Sequence, residues 1–578
     1  METVTFQTLK KLAKQNTAPQ KTLALLGDCA TQQLAAALSG ESVRRGMPLR
    51  VVDCDYDQFE GQLLDPESEL CRSKPDYILL FACTEKLKAK FCAVPPADRE
   101  IFAEHIAERF KMLWEAAHRN TGARLLMFDF PETGDAVFGS FALRTPSSFA
   151  YQLRKLNLML GEAAAQQYPF VYPIALSEIR NQLGDAAFFD ARTYYLAKLP
   201  MTADALPAAA ARVMDTVTAL AGRIKKCVIC DLDNTLWGGV IGDDGMDGIR
   251  LGDLGDGPAF CALQRWLLEL RRRGILLAVC SKNIEDTAKE VFEKHPEMVL
   301  RMEDIAVFTA NWDNKADNIR QIQKTLNIGM DSLVFLDDNP FERNLVREML
   351  PEVTVPELPE DPAEVPAYLE SLHLFEAVSF SAEDAERTAQ YQAEASRTAS
   401  EAAFTNYDDY LASLDMRAKI FPFDSFHAPR IAQLTQRSNQ FNLRTVRYTE
   451  DEILSMIGNP AYITCCMKLS DRFGEHGLIS VVILKKDDDA LFIDTWLMSC
   501  RVLRRGAEQC LFAEVCRIAA NAGYQKLIGE YLPTAKNKMV EQFYPGFGMK
   551  PIGNGRYELN PAEYVPEPHH IQVCSNYS

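Results

Sequence analysis

The chain has 578 residues, of which 47% are hydrophobic and 25% are charged, and its formal net charge at pH 7 is −18. One hydrophobic core rarely grows beyond roughly 300 residues, so we expect about three domains of a soluble protein. The negative charge disfavours nucleic acid, no apolar run reaches the roughly 18 residues of a membrane span, and the start lacks a secretory signal, so we expect a cytoplasmic protein.

Up to about residue 222, short apolar runs alternate with longer amphipathic stretches, which predicts a parallel sheet covered by helices. The predicted strands are LALLG (23–27), LRVVD (49–53), YILLF (77–81), RLLMFDF (124–130) and FVYPIAL (170–176). We therefore assign residues 1–222 to a three-layer α/β domain of the flavodoxin-like type.

A second alternating series fills residues 223–376 and predicts another open, Rossmann-like α/β domain. Its predicted strands are CVICDLD (227–233), ILLAVCS (275–281), IAVFTAN (305–311), SLVFLDD (332–338) and EVTVPEL (352–358). Predicted helices between them include residues 257–274 and 314–326.

Residues 377–414 form a predicted helical connector, with an exposed Ala/Glu helix over 379–400. Beyond it, residues 415–578 favour an antiparallel sheet with helices, an α+β domain. The predicted strands are AYITCCMKLS (461–470), GLISVVILKK (477–486) and ALFIDTWLMS (490–499), the last two joined by a hairpin, and a long helix follows over 506–523.

Two aspartates, Asp231 and Asp233, directly follow the first strand of the second domain. The crevice at the carboxyl end of such a strand is where open parallel sheets bind ligands. Two carboxylates there can divide the work, one attacking and the other handling a proton. Acidic pairs are also common in ordinary solvated loops, so this pair alone decides nothing.

Further polar residues follow in order, at strand ends or a helix start. Ser281 ends one strand, Lys315 begins a helix, and Asp337 and Asp338 end another strand. Taken singly, Ser281 would be interpreted as a strand-end cap and Lys315 as a solvated helix residue. As an ordered set at strand ends and a helix start, they favour a functional site over separate structural roles.

These motifs resemble those of the haloacid dehalogenase (HAD) superfamily, and DLDNTLW with FLDDNPFE resembles its FkbH-like branch. The resemblance implies that Asp231 attacks phosphorus and Asp233 protonates the leaving oxygen. It implies that the phosphoryl group is held by Thr235, Ser281 and Lys315, and Mg²⁺ by Asp231, Asp233, Asp337 and Asp338. Little sequence separates these motifs, so we expect no large inserted cap and an open mouth that suits a bulky substrate.

In the first domain, Gly27, Asp28 and Cys29 follow the first strand and resemble the start of SGNH-type esterases, with Cys29 in place of the serine. A helix amino end there would stabilise the thiolate of Cys29. The esterases carry a DxxH motif near the end of this domain. Here Asp190 supplies the Asp, but Thr193 stands in the position of the His. Two interpretations stay open. The domain is either an esterase fold that has lost its activity and serves as a docking platform, or it carries an acyl group on the thiol of Cys29.

In the third domain, Arg504, Arg505 and Gly506 open the long helix, and the arrangement resembles an acetyltransferase (GNAT-like) fold. In that fold such a turn binds the phosphates of coenzyme A or a phosphopantetheine arm. His476 and Cys500 are expected on adjacent segments, where the His could generate the thiolate of an acyl carrier. A buried, inert cysteine is the alternative.

The FkbH-like resemblance spans about residues 226–560 and includes DRFGEHG (471–477), SCR (499–501) and TAKN (534–537). Members are described as taking an acyl phosphate, typically bisphosphoglycerate, removing phosphate and passing a glyceryl group through a Cys thioester to an acyl carrier protein. We therefore expect an enzyme that loads a small phosphorylated acyl unit onto a carrier thiol.

Two rival functions remain. One is a phosphatase for a sugar phosphate or related metabolite, fused to an acetyl-coenzyme A-dependent acetyltransferase in surface-polysaccharide or secondary-metabolite biosynthesis. In the other, the flanking domains are protein-binding scaffolds without chemistry.

Overall fold

The computed structural model describes residues 4–134, 137–380, 397, 404, 406–438, 440–487, 489–499 and 502–577. The chain divides into two compact units, Met1–Leu220 and Ala221–Ser578. None of the described helices is long and apolar enough to cross a membrane.

The first unit is built on a five-stranded parallel sheet with strand order β2-β1-β3-β4-β5. The strands are β1 Lys21–Gly27, β2 Leu49–Asp53, β3 Tyr77–Phe81, β4 Arg124–Phe128 and β5 Val171–Ile174. All five predicted strands are confirmed. Strand β3 is buried along its whole length, as expected when helices cover both faces of a parallel sheet.

Helices connect these strands and supply the rest of the core. They are α1 Phe6–Ala13, α2 Gln32–Arg44, α3 Phe59–Leu64, α4 Glu69–Ser73, α5 Thr84–Ala93, α6 Phe102–Thr121, α7 Phe149–Gln166, α8 Leu176–Leu183, α9 Asp185–Phe188, α10 Ala191–Ala197 and α11 Leu206–Leu220. The core between α6, α7 and the sheet includes the buried side chains of Leu113, Trp114, Leu153 and Leu156.

The second unit begins with a four-stranded parallel sheet of order β8-β7-β6-β9. Its strands are β6 Cys227–Cys230, β7 Leu276–Ser281, β8 Ile305–Ala310 and β9 Leu333–Leu336, and its helices are α12 Ile241–Gly248, α13 Gly257–Arg272, α14 Glu285–Lys294, α15 Lys315–Leu326, α16 Pro340–Met349 and α17 Val365–Ser371. The strand predicted over 352–358 is wrong. Only Thr354 makes a bridge, to Val334, because prolines at 351 and 356 remove backbone donors on either side.

The same unit contains an eight-stranded sheet of order β15-β16-β14-β13-β12-β11-β10-β17. The strands are β10 Met416–Phe421, β11 Tyr462–Asp471, β12 Gly474–Asp487, β13 Ala490–Met498, β14 Lys526–Glu530, β15 Lys550–Gly553, β16 Arg556–Leu559 and β17 Ile571–Ser575. The helices are α18 Tyr407–Ser413, α19 Ala428–Arg437, α20 Glu450–Met456, α21 Ala507–Asn521 and α22 Phe543–Gly546.

Strands β10 to β13 are antiparallel, and the predicted hairpin is confirmed by the pairing of Asp487 with Ala490. Strands β13 and β14 are parallel and are joined through α21. A parallel pair joined by a helix, within a mostly antiparallel sheet, agrees with the acetyltransferase-like fold expected here; β10 and β17 form the other parallel pair. The multidomain α/β class is therefore confirmed, whereas the boundaries at 222, 376 and 414 stay predictions. The helix predicted over 379–400 lies outside the described residues, except for Ser379, Phe380 and Arg397.

Helix α1 packs against α2 at Gly40, where a Cβ atom would lie 2.0 Å from the carbonyl oxygen of Leu9. Gly40→Ala should therefore destabilise the protein by about 1–3 kcal/mol, because backbone must move to admit the methyl group. Gly161, inside α7, has nothing within 4 Å of the corresponding position. Gly161→Ala is the matched control and should be neutral or stabilising by about 0.5–1 kcal/mol. Urea unfolding followed by circular dichroism measures both, and equal midpoints for Gly40→Ala and wild type would contradict the packing argument.

Candidate active site

The loop that carries the two aspartates turns tightly at the carboxyl end of β6. The N–H of Asp231 donates to the carbonyl of Leu336 on the neighbouring strand at 2.9 Å. The N–H of Thr235 then donates back to the carbonyl of Leu232 at 3.1 Å, and Asn234 adopts a left-handed conformation with φ +53°. The first bond holds the loop to the neighbouring strand before Asp233, and the second closes a tight turn around Asp233.

A buried lysine joins two of the predicted aspartates. The Nζ atom of Lys315, the first residue of α15, lies 2.9 Å from Oδ2 of Asp231 and 2.6 Å from Oδ2 of Asp337. The three residues are 3%, 7% and 0% exposed, respectively. Strands β6 and β9 are neighbours, so their carboxyl ends bring the two carboxylates to the same edge, where α15 also begins.

Two buried carboxylates beside one ammonium leave this edge short of positive charge. Burial and the charge of Asp231 raise the pKa of Asp337 to about 7. Burial acts to lower the pKa of Lys315, but the two carboxylates outweigh it and raise that pKa, so the lysine stays charged. The second oxygen of Asp231, Oδ1, is buried and has no hydrogen-bond partner among the described residues. An additional cation would satisfy that oxygen and balance the charge.

A third carboxylate completes the cluster. Carboxylate oxygens of Asp231, Asp337 and Asp338 all lie within 4.8 Å of one another. Asp338 is exposed, whereas the other two are buried. Its backbone N–H donates to Oγ1 of Thr235 at 3.1 Å, which ties the loop after β9 to the loop after β6.

Asp233 is held separately from these three carboxylates. Its Oδ1 accepts hydrogen bonds from Nε1 of Trp237 at 2.9 Å and from the N–H of Ile241 at 3.0 Å. Its Oδ2 accepts from Nδ2 of Asn283 at 2.8 Å, and the same amide donates to Oγ of Ser281 at 3.2 Å. The carboxylate of Asp233 is therefore oriented by three donors, and its role as a metal ligand stays a prediction.

Sequence reasoning missed two residues of this edge. Asn283 links Asp233 to Ser281, and its position two residues after the end of β7 could have revealed it. Arg343 donates from Nη1 to the carbonyls of Asp337 and Asp338 at 2.8 and 2.6 Å, so it fixes the loop after β9. A buried arginine on the next helix gives no comparable signal in the sequence.

The N-terminal cysteine lies in a different environment from the one expected. Cys29 is buried with Asp28 and Cys83, and ligand atoms of the three lie within 4.8 Å of one another. Burial, followed by the neighbouring Cys83, raises the pKa of the Cys29 thiol well above its usual value. The structure therefore favours the neutral thiol of Cys29 over the thiolate that a helix dipole was expected to stabilise. The carboxylate of Asp190 accepts from two N–H groups at the start of α10 and acts as a helix cap.

In the C-terminal domain, His476 lies on β12 and is buried. Its Nε2 atom is 2.9 Å from Oδ2 of Asp471, which also forms an ion pair with Nε of Arg397 at 2.6 Å. Burial lowers the pKa of His476, against the opposing effect of Asp471. Cys500 lies outside the described residues, so its pairing with His476 stays a prediction.

The predicted phosphate-binding turn precedes α21. Gly506 and Arg504 both have positive φ, +85° and +65°, and the N–H of Arg504 donates to Oε1 of Glu508 at 3.0 Å. Arg505 is buried. The turn is thus a defined loop at a helix amino end, while its binding of coenzyme A or phosphopantetheine stays a prediction.

Comparison with known proteins gives two informative matches. Residues 22–218 match the model of the FkbH N-terminal domain. The solved N-terminal part of protein BF1531 from Bacteroides fragilis is 47% identical, with a TM-score of 0.63, and the match covers 65% of this chain and 100% of that one. The chain belongs to the FkbH family. The Bacteroides structure contains a phosphatase domain complexed with Mg. The FkbH-family chain is accordingly an enzyme with a HAD-type phosphatase domain.

Acetyltransferase structures are more distant matches to the FkbH-family chain. The ribosomal-protein-S18-alanine N-acetyltransferase of Escherichia coli is 16% identical, with a TM-score of 0.19, over 24% of this chain and 88% of that one. An N-acetyltransferase of Staphylococcus aureus Mu50 is 12% identical, with a TM-score of 0.21, over 25% and 99%. Likeness this low supports no argument, so the C-terminal fold rests on its strand order. No protein of curated function matches the chain.

Lys315→Met should destabilise the metal-free protein by about 3–5 kcal/mol, because it leaves two buried carboxylates without their cation. The matched control is Lys294→Met, which removes an exposed ion pair with Glu290 and should have little effect on stability. Urea unfolding in the presence of a chelator measures both losses. Indistinguishable losses for the two variants would show that the buried ion pair does not stabilise the fold.

Proposed function

We propose that the central domain of this chain removes a phosphoryl group from a small phosphorylated molecule, with Asp231 as nucleophile and Asp233 as acid and base. The observation that supports it best is the buried cluster of Lys315, Asp231 and Asp337. Burying one ammonium and two carboxylates costs desolvation free energy, and buried charge clusters with perturbed pKa values are found preferentially at functional sites.

The residues at this edge fit Mg²⁺. Asp231, Asp337 and Asp338 offer hard oxygen ligands close together, and Oδ1 of Asp231 has no hydrogen-bond partner among the described residues. The Bacteroides relative contains Mg. When bound here, Mg²⁺ would supply positive charge against the phosphoryl oxygens.

The reaction then needs two displacements at phosphorus. An oxygen of Asp231 forms a bond to phosphorus as the bond to the leaving oxygen breaks, and Asp233 gives that oxygen a proton. Asp233 next takes a proton from a water molecule, whose oxygen attacks the phosphorus as the bond from phosphorus to Asp231 breaks, which releases inorganic phosphate and restores the carboxylate of Asp231. Lys315, Ser281 and Thr235 would hold the phosphoryl oxygens throughout.

For the whole chain, we propose that this chemistry is coupled to loading a glyceryl-type acyl unit onto the thiol of an acyl carrier protein. The support is the resemblance of the second and third domains to FkbH-like enzymes, together with a buried His476 oriented by Asp471. Cys500 and Cys29 are the rival acyl-carrying thiols, and Arg504, Arg505 and Gly506 would bind the phosphopantetheine arm or coenzyme A. A cytoplasmic location and the phosphatase–acetyltransferase fusion stay proposals that rest on the sequence.

Asp231→Asn should lower phosphate release by a factor of at least about 10³, because an amide cannot attack phosphorus. The fold should stay intact, because the amide has nearly the volume of the carboxyl group. Asp233→Asn should be severe mainly for substrates with poor leaving groups, since an activated aryl phosphate needs little protonation. Phosphate release by the full-length variants, compared on aryl and alkyl phosphates, measures both effects. Activity of Asp231→Asn within tenfold of wild type would refute its role as nucleophile.

Wild-type enzyme given an acyl phosphate should gain an acyl mass that hydroxylamine removes, and Cys500→Ala should not gain it. Cys29→Ala is the companion variant, expected to acylate normally because burial raises the pKa of its thiol. Intact-mass analysis distinguishes the outcomes. Loss of the acyl mass only in Cys29→Ala would assign the chemistry to the first domain, and a wild type that is never acylated would favour the plain phosphatase.

A further inference from the structure

Three side chains with metal-ligating atoms meet in the first unit. Carboxylate and sulfur atoms of Asp28, Cys29 and Cys83 all lie within 4.8 Å of one another. The residues are 4%, 1% and 2% exposed, respectively. Two thiols and one carboxylate therefore converge at a site from which water is largely excluded, and none of them takes part in the proposed phosphoryl transfer.

The pairing of β1 with β3 explains why the two thiols meet. Gly27 and Phe81 are in register at the carboxyl ends of these strands, and the N–H of Asp28 donates to the carbonyl of Phe81 at 3.2 Å, so the pairing continues past the strand ends. Cys29 and Cys83 each stand two residues beyond this register pair. Residues in register on neighbouring strands are about 4.8 Å apart and present their side chains on the same face, which brings the two sulfur atoms together.

The carboxylate of Asp28 is held in place but is not paired with a cation. Its Oδ1 atom accepts a hydrogen bond from the N–H of Cys83 at 2.8 Å. Lys86 donates from Nζ to the backbone carbonyl of Asp28 at 3.3 Å, while its ion pair is with Asp57. No lysine or arginine among the described residues forms an ion pair with the Asp28 carboxylate. Burying a carboxylate without a counter-charge is costly, so a cation bound between this group and the thiols would be stabilising.

The chemistry of these ligand atoms selects the metal. Two soft thiolates and one hard carboxylate suit Zn²⁺, whereas Mg²⁺ and Ca²⁺ prefer oxygen ligands alone. Zinc ligands stand about 2.0–2.3 Å from the ion, so the ligand atoms of a tetrahedral site are about 3.5–3.8 Å apart. The three side chains therefore need to approach one another by only about 1 Å to bind the ion. A water molecule or Tyr194, whose hydroxyl lies 4.0 Å from Sγ of Cys83, would complete the tetrahedron.

We propose that Asp28, Cys29 and Cys83 bind one Zn²⁺ ion, which joins the loop after β1 to the loop after β3. A partly open pocket lined by Asp28, Ala82 and Phe130, among others, gives the ion a route to the cluster. The proposal does not depend on the phosphatase function. It is compatible with Cys500 as the acyl carrier, because zinc ligation would occupy the thiolate of Cys29.

Co²⁺ in place of Zn²⁺ tests the site, because a thiolate ligand gives cobalt a charge-transfer absorption that oxygen ligands do not. Full-length wild-type protein, reduced, freed of metal and supplied with excess Mg²⁺ to fill oxygen-only sites, should bind Co²⁺ with this absorption at about one ion per chain. Added Zn²⁺ should abolish the absorption, and Cys29→Ala and Cys83→Ala should each lose it. Cys71→Ala is the matched control, because Cys71 is another buried thiol of the first unit but donates to the carbonyl of Gln62 at 3.4 Å; this variant should keep the absorption.

Alkylation of the wild-type protein decides the matter if circular dichroism shows that a cysteine variant does not fold. In mild urea, Zn²⁺ should slow the reaction of Cys29 and Cys83 with N-ethylmaleimide more than that of Cys71, as followed by peptide mass spectrometry. Equal slowing of all three thiols would reflect general stabilisation and would overturn the proposal. So would a wild type without the thiolate absorption, or an absorption that persists in a folded Cys29→Ala or Cys83→Ala protein. If wild type lacks the absorption and instead forms a disulfide between Cys29 and Cys83, the pair is a redox couple and not a metal site.

Discussion

A charged lysine buried between two carboxylates dominates the chemistry of the central domain. Lys315 bridges Asp231 and Asp337, and the set holds one ammonium and two carboxyl groups away from water. Such an arrangement is stable only if further groups satisfy its oxygens, and here the N–H of Asn339 donates to Oδ1 of Asp337 at 2.9 Å. Oδ1 of Asp231 has no such partner among the described residues. The fold thus holds a buried carboxylate with one oxygen left unsatisfied, as the proposed role of Asp231 requires.

The parallel sheet explains how residues so far apart in sequence meet. Asp231 and Asp337 follow neighbouring strands, and their backbones are joined because the N–H of Asp231 donates to Leu336. Side chains set by strand ends keep their positions with little freedom, which suits a site that must hold a phosphoryl group in line. The segments beyond the strands carry exposed side chains, including the rings of Trp312, in the loop after β8, and Phe341, in the first turn of α16.

The sequence was enough to predict the two parallel sheets, because their strands are continuous apolar runs that end in polar residues. Prediction failed where pairing depends on distant partners. Strand β17 lies beside β10, more than 140 residues away, and neither has the length or pattern to reveal this alone. The run at 352–358 has β-branched residues but also prolines, and it forms no regular strand because proline has no backbone N–H to donate to a neighbouring strand. The roles of the site residues could be proposed from their order, whereas the hydrogen bonds of Asn283 and Arg343 required coordinates.

Environment, more than residue type, separates the functional groups of this chain. Asp231 and Asp233 are two residues apart, yet one meets a lysine and the other meets three hydrogen-bond donors. In the proposed reaction the first attacks under the influence of positive charge, and the second exchanges a proton. The same reasoning applies to Cys29, whose sequence position resembles a nucleophile while its burial beside Cys83 disfavours the thiolate. A thiol there could react only after solvent or a ligand reached the buried cluster, so the first domain contributes thiol chemistry only if it opens.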